Sequence, residues 1–149
     1  MQIDNVFYKD IKMIDKKKKK ILIVDDEVSI RDMLSEFFNV AGYAALTAAS
    51  AEEALNILKE YSIEVMFLDL DLPCMNGIEL CKTIRKSNQV SIVHAFTGYS
   101  GLYGLKECRS AGFDDFFIKP IGIELLLKAA EDAFEKIKRW GIVNHCMVT

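Results

Sequence analysis

Hydrophobic and polar positions along the chain switch repeatedly between two periods. Ile21 to Val24 is a short continuous apolar run, as a strand buried on both faces requires. Between Ser29 and Ala41 the apolar residues are Ile30, Met33, Leu34, Phe37, Phe38 and Ala41. Their i, i+3, i+4, i+7 spacing predicts one helical face, and Gly42 stands where a helix stop is expected. Tyr43 to Ala48 predicts a second strand. Ser50-Ala51-Glu52-Glu53 is a capping box, in which Ser50 and Glu53 satisfy each other's backbone donors. The helix it opens carries Ala51, Ala54, Leu55 and Leu58 on one face.

Val65 to Leu68 predicts a third strand, followed by a loop from Asp69 to Asn76 that contains Pro73. Gly77 leads into a helix with Ile78, Cys81 and Ile84 inward. Val90 to Phe96 predicts a fourth strand. A weaker helix follows from about Ser100 to Ala111, burdened by Gly101 and Gly104 at about 1 kcal/mol each in a helix interior. Gly112 ends it. Phe116 to Ile118 predicts a fifth strand, and a last helix runs from Ile123 to about Arg139 with Leu126, Leu127, Ala130, Phe134 and Ile137 inward.

Strands alternating with helices imply an α/β fold: a doubly wound five-stranded parallel sheet with helices on both faces. The expected strand order is 2-1-3-4-5, the flavodoxin-like (βα)5 arrangement. Residues 1–19 read as a polar, lysine-rich N-terminal extension, 20–140 as one domain and 141–149 as a short C-terminal tail.

Composition narrows the picture. The 149 residues are 51% hydrophobic and carry a net charge of −3, an ordinary globular balance that gives no general reason to expect nucleic-acid binding. The basic run Lys16 to Lys20 lacks any sequence-reading or anchoring element and reads as a solvated tail that discourages strand pairing. No apolar run reaches the roughly 20 residues a membrane helix needs, and the N-terminus does not have the charge order of a secretory signal. Cys74, Cys81, Cys108 and Cys146 form no CxxC pair and no zinc spacing, so they read as free thiols in a reducing cytoplasm.

The candidate chemistry lies where strands end. The first strand ends in Asp25-Asp26, the third in Asp69, the fourth in Thr97 and the fifth in Lys119-Pro120. In a doubly wound sheet all of these reach one edge, and strands one and three flank the crevice where ligands bind. Taken singly, each acid reads as a helix cap, Thr97 as a strand-end residue and Lys119 as a solvated one. Capping does not account for two adjacent acids with a third converging on them. Two carboxylates about 4 Å apart repel by roughly 4 kcal/mol at an effective dielectric of about 20. The cluster therefore calls for a small, hard cation, and Mg²⁺ fits.

From about residue 20 to 139 the sequence resembles the receiver domain of two-component response regulators, of the chemotaxis-regulator kind. The resemblance rests on ILIVDDE, FLDLDLPCMNG, Thr97-Gly98 and Phe117-Ile118-Lys119-Pro120, in the family's order and at suitable separations. It implies that Asp69 is the phosphoacceptor, that Asp26 binds Mg²⁺ directly and Asp25 largely through water, and that the backbone carbonyl of Asp71 completes the metal site. It implies further that Thr97 is the switch hydroxyl, that Lys119 contacts the phosphoryl group, and that Phe116 stands at the aromatic switch position. The donor it implies is a sensor histidine kinase or phosphotransfer protein in the cytoplasm. The expected readout is a downstream protein target, or a homodimer, through the fourth helix, fifth strand and fifth helix. The expected chemistry is confined to the domain's own phosphorylation and dephosphorylation; no external substrate, nucleic acid or membrane insertion is expected.

Two departures stand out. Phe116 lacks the hydroxyl of the tyrosine common there. Asp71 places a further acid beside the site, where its charge is expected to alter phosphoryl lifetime by repulsion or by orienting a water. No output domain follows residue 141, so the chain reads as a stand-alone regulator or a fragment of a longer one. Competing readings are a HAD-type phosphohydrolase using Asp69-Leu70-Asp71, a degenerate receiver that only binds partners, and a flavin-binding flavodoxin. The first puts its acid pair on the wrong strand and leaves Asp25-Asp26 without a role. The second is opposed by the full set of acids with Thr97 and Lys119. The third needs a phosphate loop rich in Ser, Thr and Gly where this chain is acidic.

Overall fold

The computed structural model describes residues 18–98 and 104–148, apart from the side chains of 142–148. Five strands and five helices alternate: β1 (Lys20–Val24), α1 (Val28–Val40), β2 (Ala44–Ala48), α2 (Ala51–Glu60), β3 (Val65–Asp69), α3 (Gly77–Ser87), β4 (Ile92–Thr97), α4 (Leu105–Ala111), β5 (Asp115–Ile118) and α5 (Ile123–Val148). The strands form one sheet in the order β2-β1-β3-β4-β5, and all neighbouring pairs are parallel. The expected fold class and order are both observed.

Side chains alternate across the sheet and feed two separate apolar layers. Leu22, Val24, Met66, Leu68, Val93 and Ala95 face a layer shared with α2, α3 and α4. Ile21, Ile23, Val65, Phe67, Ile92 and Phe96 face a layer shared with α1 and α5. β1, β3 and β4 are buried along almost their whole length, which is why they read as continuous apolar runs. His94 is a polar residue buried in the middle of β4. It is stacked on Phe67 with centroids 4.5 Å apart, and its Nδ1 lies 3.2 Å from the Met66 carbonyl oxygen. Burial pushes its pKa down, so the ring packs as a neutral aromatic.

Several local expectations are refined. In α1 the buried residues are Leu34 and Phe38, whereas Met33 is 48% exposed and Ala41 is also exposed. The burial stripe is therefore narrower than the apolar stripe of the sequence. Ser50 Oγ accepts from the Glu53 amide, but Glu53 Oε2 accepts from the Ala49 amide, one residue before the cap. Gly104 is the N-cap of α4 and not an interior residue, so it carries little of the expected helix penalty. The expected helical turn from Ser100 to Tyr103, with Gly101, lies outside the described residues, as do Lys16, Lys17 and most of the N-terminal extension. α5 continues past the expected end at Arg139, through Gly141. No helix among the described residues is long and apolar enough to cross a membrane. Cys81 and Cys108 are buried and Cys74 is exposed, all three as free thiols.

Candidate functional site

The carboxyl ends of β1 and β3 are adjacent because the two strands pair in register, Val24 opposite Leu68. The next residue of each chain segment is therefore Asp25 and Asp69. Both are buried, at 0% and 3% exposure, while Asp26 points to solvent. One carboxylate oxygen from each of Asp25, Asp26 and Asp69 falls within a group whose members all lie within 4.8 Å of one another. The three expected acids do converge.

Hydrogen bonds fix the orientation of each acid. Asp25 Oδ1 accepts from the Glu27 amide at 2.8 Å, and Asp25 Oδ2 accepts from Lys119 Nζ at 2.6 Å. Asp69 Oδ1 accepts from the Asp71 amide at 3.0 Å, and Asp69 Oδ2 faces Lys119 Nζ at 3.4 Å. Lys119 reaches this position because its amide donates to the Thr97 carbonyl at 2.8 Å, continuing the β4–β5 ladder to the sheet edge. The Lys119-Pro120 peptide is cis, and the ammonium also lies 4.8 Å from the centroid of the Phe96 ring.

Burial penalises the charge on Asp69 and is the main reason its pKa rises from the ordinary 3.8 to about 6. The Asp71 amide and Lys119 pull the other way, and the neighbouring Asp25 and Asp71 carboxylates add to the rise. Burial also opposes the charge on Lys119, but its hydrogen bond to Asp25 and the proximity of Asp69 outweigh it and hold the ammonium above the usual lysine range. The resting site is thus a buried acid pair spanned by one ammonium.

The loop after β3 is shaped by a close approach. A side chain at Gly77 would overlap the carbonyl oxygen of Asp69 and stand 2.8 Å from the Leu70 α-carbon. Only a residue without a Cβ lets α3 begin this close to the strand end. Asn76 caps α3 by accepting from the Glu79 amide at 2.9 Å. Cys74 occupies a left-handed conformation at φ 66° within the same loop.

Thr97, fully buried, donates to the carboxylate of Asp71 at 2.6 Å. Phe116 pairs with Ala95 across the β4–β5 ladder and so lies on the Thr97 face of the sheet, half-buried against the layer beneath. Asp25, Asp26, Asp69, Asp71, Thr97 and Lys119 are accordingly at this edge, and Phe116 lies two residues back from it, opposite Ala95. Two contacts were not foreseen from the sequence. Arg31 Nη1 donates to the main-chain carbonyl of Asp25 at 2.7 Å, steadying the acid from α1. The Thr97–Asp71 bond joins the end of β4 to the loop after β3, and no local pattern announces it.

Comparison with known proteins agrees with this architecture. A family model described as response regulator receiver domain matches residues 21–131. The chain is 34% identical over 113 residues to the sporulation initiation phosphotransferase F of Bacillus subtilis, covering 76% of this chain and 91% of that protein. It is 36% identical over 128 residues to a probable transcriptional regulator ycf27 of Porphyridium aerugineum, covering 86% of this chain and 53% of the relative. It thus spans about half the length of that relative and of others like it. Among solved structures, a CheY-like response regulator receiver domain protein from Methanospirillum hungatei superposes with a TM-score of 0.79 at 28% identity, covering 83% of this chain and 98% of that one.

Proposed function

The chain belongs to the response regulator receiver domain family, and from that premise we propose that Asp69 is the residue that takes the phosphoryl group. The observation that carries the proposal is the convergence of Asp25, Asp26 and Asp69 around a point that Lys119 already approaches. The donor set fits Mg²⁺: three hard carboxylate oxygens, one of them on an exposed residue, leave room for bound waters. Asp25, Asp26 and Asp69 would hold the ion, with the main-chain carbonyl of Asp71 as a further ligand. When bound there, Mg²⁺ supplies positive charge against the phosphoryl oxygens.

The residues of the chain do the rest by position. An Asp69 carboxylate oxygen attacks phosphorus; the P–N bond of a donor phosphohistidine breaks, the imidazole leaves with the bonding pair and is reprotonated, and an aspartyl phosphate remains. Lys119 meets the charge on the transferred oxygens. Thr97 supplies a hydroxyl to the phosphoryl group, and Phe116, on the same sheet face, moves into the space it vacates. The added group brings about −1.5 to −2 charges to the sheet edge. The domain's chemistry is then limited to gaining and losing its own phosphoryl group.

We read the donor as a histidine kinase or phosphotransfer protein in the cytoplasm. An apolar hollow of about 340 Å³, lined in part by Ile30, Met33, Leu34 and Pro120, adjoins Lys119 and offers such a donor a foothold beside Asp69. Exposed Leu105, Ile118 and Leu125 on α4, β5 and α5 support readout there, by a downstream protein or a second copy. Incubation with a small phosphodonor and Mg²⁺, followed by intact mass, tests the central claim. One added phosphoryl group is expected, and none in Asp69→Asn. Addition that survives Asp69→Asn would overturn the assignment.

A further inference from the structure

Asp71 touches the site twice. Its amide donates to Asp69 Oδ1 at 3.0 Å, and its carboxylate accepts the Thr97 hydroxyl at 2.6 Å. A hydroxyl carries a single proton to donate. While Thr97 gives that proton to Asp71, it has none to give to an oxygen of a phosphoryl group on Asp69. The bond also has the short length of a hydrogen bond to an ionised acceptor, a class about twice as strong as neutral pairs. Thr97 is fully buried and Asp71 half-buried, so water competes poorly for the Thr97 hydroxyl.

We propose that Asp71 is a positioning residue that holds Thr97 in the resting arrangement, so that phosphorylation must exchange the Asp71–Thr97 bond for one between Thr97 and the phosphoryl group. The proposal rests on the assignment of Asp69 as phosphoacceptor and Thr97 as its hydroxyl partner. Two forces drive the exchange in the same direction. The new charge on Asp69 repels the carboxylate two residues on, and the phosphoryl oxygens compete for the one proton of Thr97. The exchange replaces one charge-assisted acceptor by another, so the switch gains less than it would with a non-accepting side chain at this position. Asp71 thereby sets how far the equilibrium leans toward rest. This differs from simple repulsion of phosphate by Asp71, because the effect is routed through Thr97.

A double-mutant cycle on the full chain separates the two. The probe is beryllofluoride with Mg²⁺, a stable phosphoryl mimic, with occupancy read by fluorine NMR. Asp71→Ala is expected to tighten beryllofluoride binding by about tenfold when Thr97 is present, and by less than about twofold in a Thr97→Ala background. Asp71→Asn keeps an acceptor oxygen and is expected to fall between Asp71 and Asp71→Ala. A second readout uses the Thr97 methyl resonance in ion-free protein. Asp71→Ala should move it toward its beryllofluoride-bound position, while Asp71→Asn leaves it near the starting one. Equal tightening with and without the Thr97 hydroxyl, or a methyl resonance that does not move, overturns the proposal and leaves Asp69 as acceptor intact. Beryllofluoride that fails to bind the unmodified chain, or binds Asp69→Asn equally well, overturns the Asp69 assignment and this proposal with it.

Discussion

Lys119 stands closer to Asp25 than to Asp69, its ammonium 2.6 Å from one carboxylate and 3.4 Å from the other. In the resting protein it offsets the repulsion of two buried acids that have little water to screen them. Removing it leaves both uncompensated, an arrangement that costs on the order of 3 kcal/mol. Lys119→Ala is therefore expected to melt well below the parent in metal-free buffer and to regain more stability than the parent when Mg²⁺ is added. Thermal melts with and without the ion measure this. Equal Mg²⁺-induced shifts in both proteins would contradict it.

The raised pKa of Asp69 has a definite sign. Its folded value, about 6, lies above the ordinary 3.8, so the folded protein holds a proton that the unfolded chain has lost. The metal-free fold therefore loses stability as pH rises from about 4 to about 6, by on the order of 3 kcal/mol, and does not recover it above that range. Asp69→Asn should flatten this slope and raise the melting temperature at neutral pH by roughly 5 °C or more. Because the ion must displace the same proton, Mg²⁺ affinity is expected to fall about tenfold per pH unit below about pH 6. Calorimetric titration across pH 5 to 7.5 checks the second claim, and an affinity independent of pH would refute it.

Gly77→Ala tests the loop. The new methyl would meet backbone atoms of Asp69 and Leu70, which cannot rotate away as a side chain can. The expected cost is about 1–3 kcal/mol. Because the displaced backbone carries Asp69, the proposed phosphoacceptor, phosphorylation by a small donor should slow together with the loss of stability. A variant that melts lower yet is phosphorylated at the parental rate would show that the close approach serves α3 alone.

The hollow beside Lys119 makes a separate prediction. Met33 is about half exposed and borders it on α1. Met33→Asp should slow phosphotransfer from a protein donor by about tenfold, equivalent to about 1.4 kcal/mol of docking energy. The rate with a small phosphodonor should be unchanged. Equal rates with the protein donor would remove this surface from the docking site.

Much of this was written in the sequence, for identifiable reasons. β1, β3 and β4 are buried on both faces, so burial itself forces the unbroken apolar runs that reveal them. Parallel topology then sends every strand end to the same edge, which is how Asp25, Asp69, Thr97 and Lys119 are brought together from far apart. What the sequence withheld depends on distances between loops. Met33 and Leu34 are both apolar neighbours in α1, yet only Leu34 meets the sheet. The Thr97–Asp71 bond spans 26 positions and uses residue types common at any surface. Asn76 carries a cap signal in its place three residues before Glu79, but Gly77 beside it is the stronger local mark of a boundary.

The two apolar layers have a consequence for how a signal leaves the acid cluster. Phe96 and Thr97 are consecutive, yet they belong to opposite sides of the sheet: Phe96 packs with α1 and α5, and Thr97 shares its face with Val93 and Ala95 above α3 and α4. The sheet works as a partition. The Thr97 side chain faces the compartment of α3 and α4, and the hollow by α1 lies in the other. Lys119 joins the two sides, because it lines the hollow by α1 while its amide holds the Thr97 carbonyl, so whatever sits against α1 stays in touch with the acid cluster through one lysine.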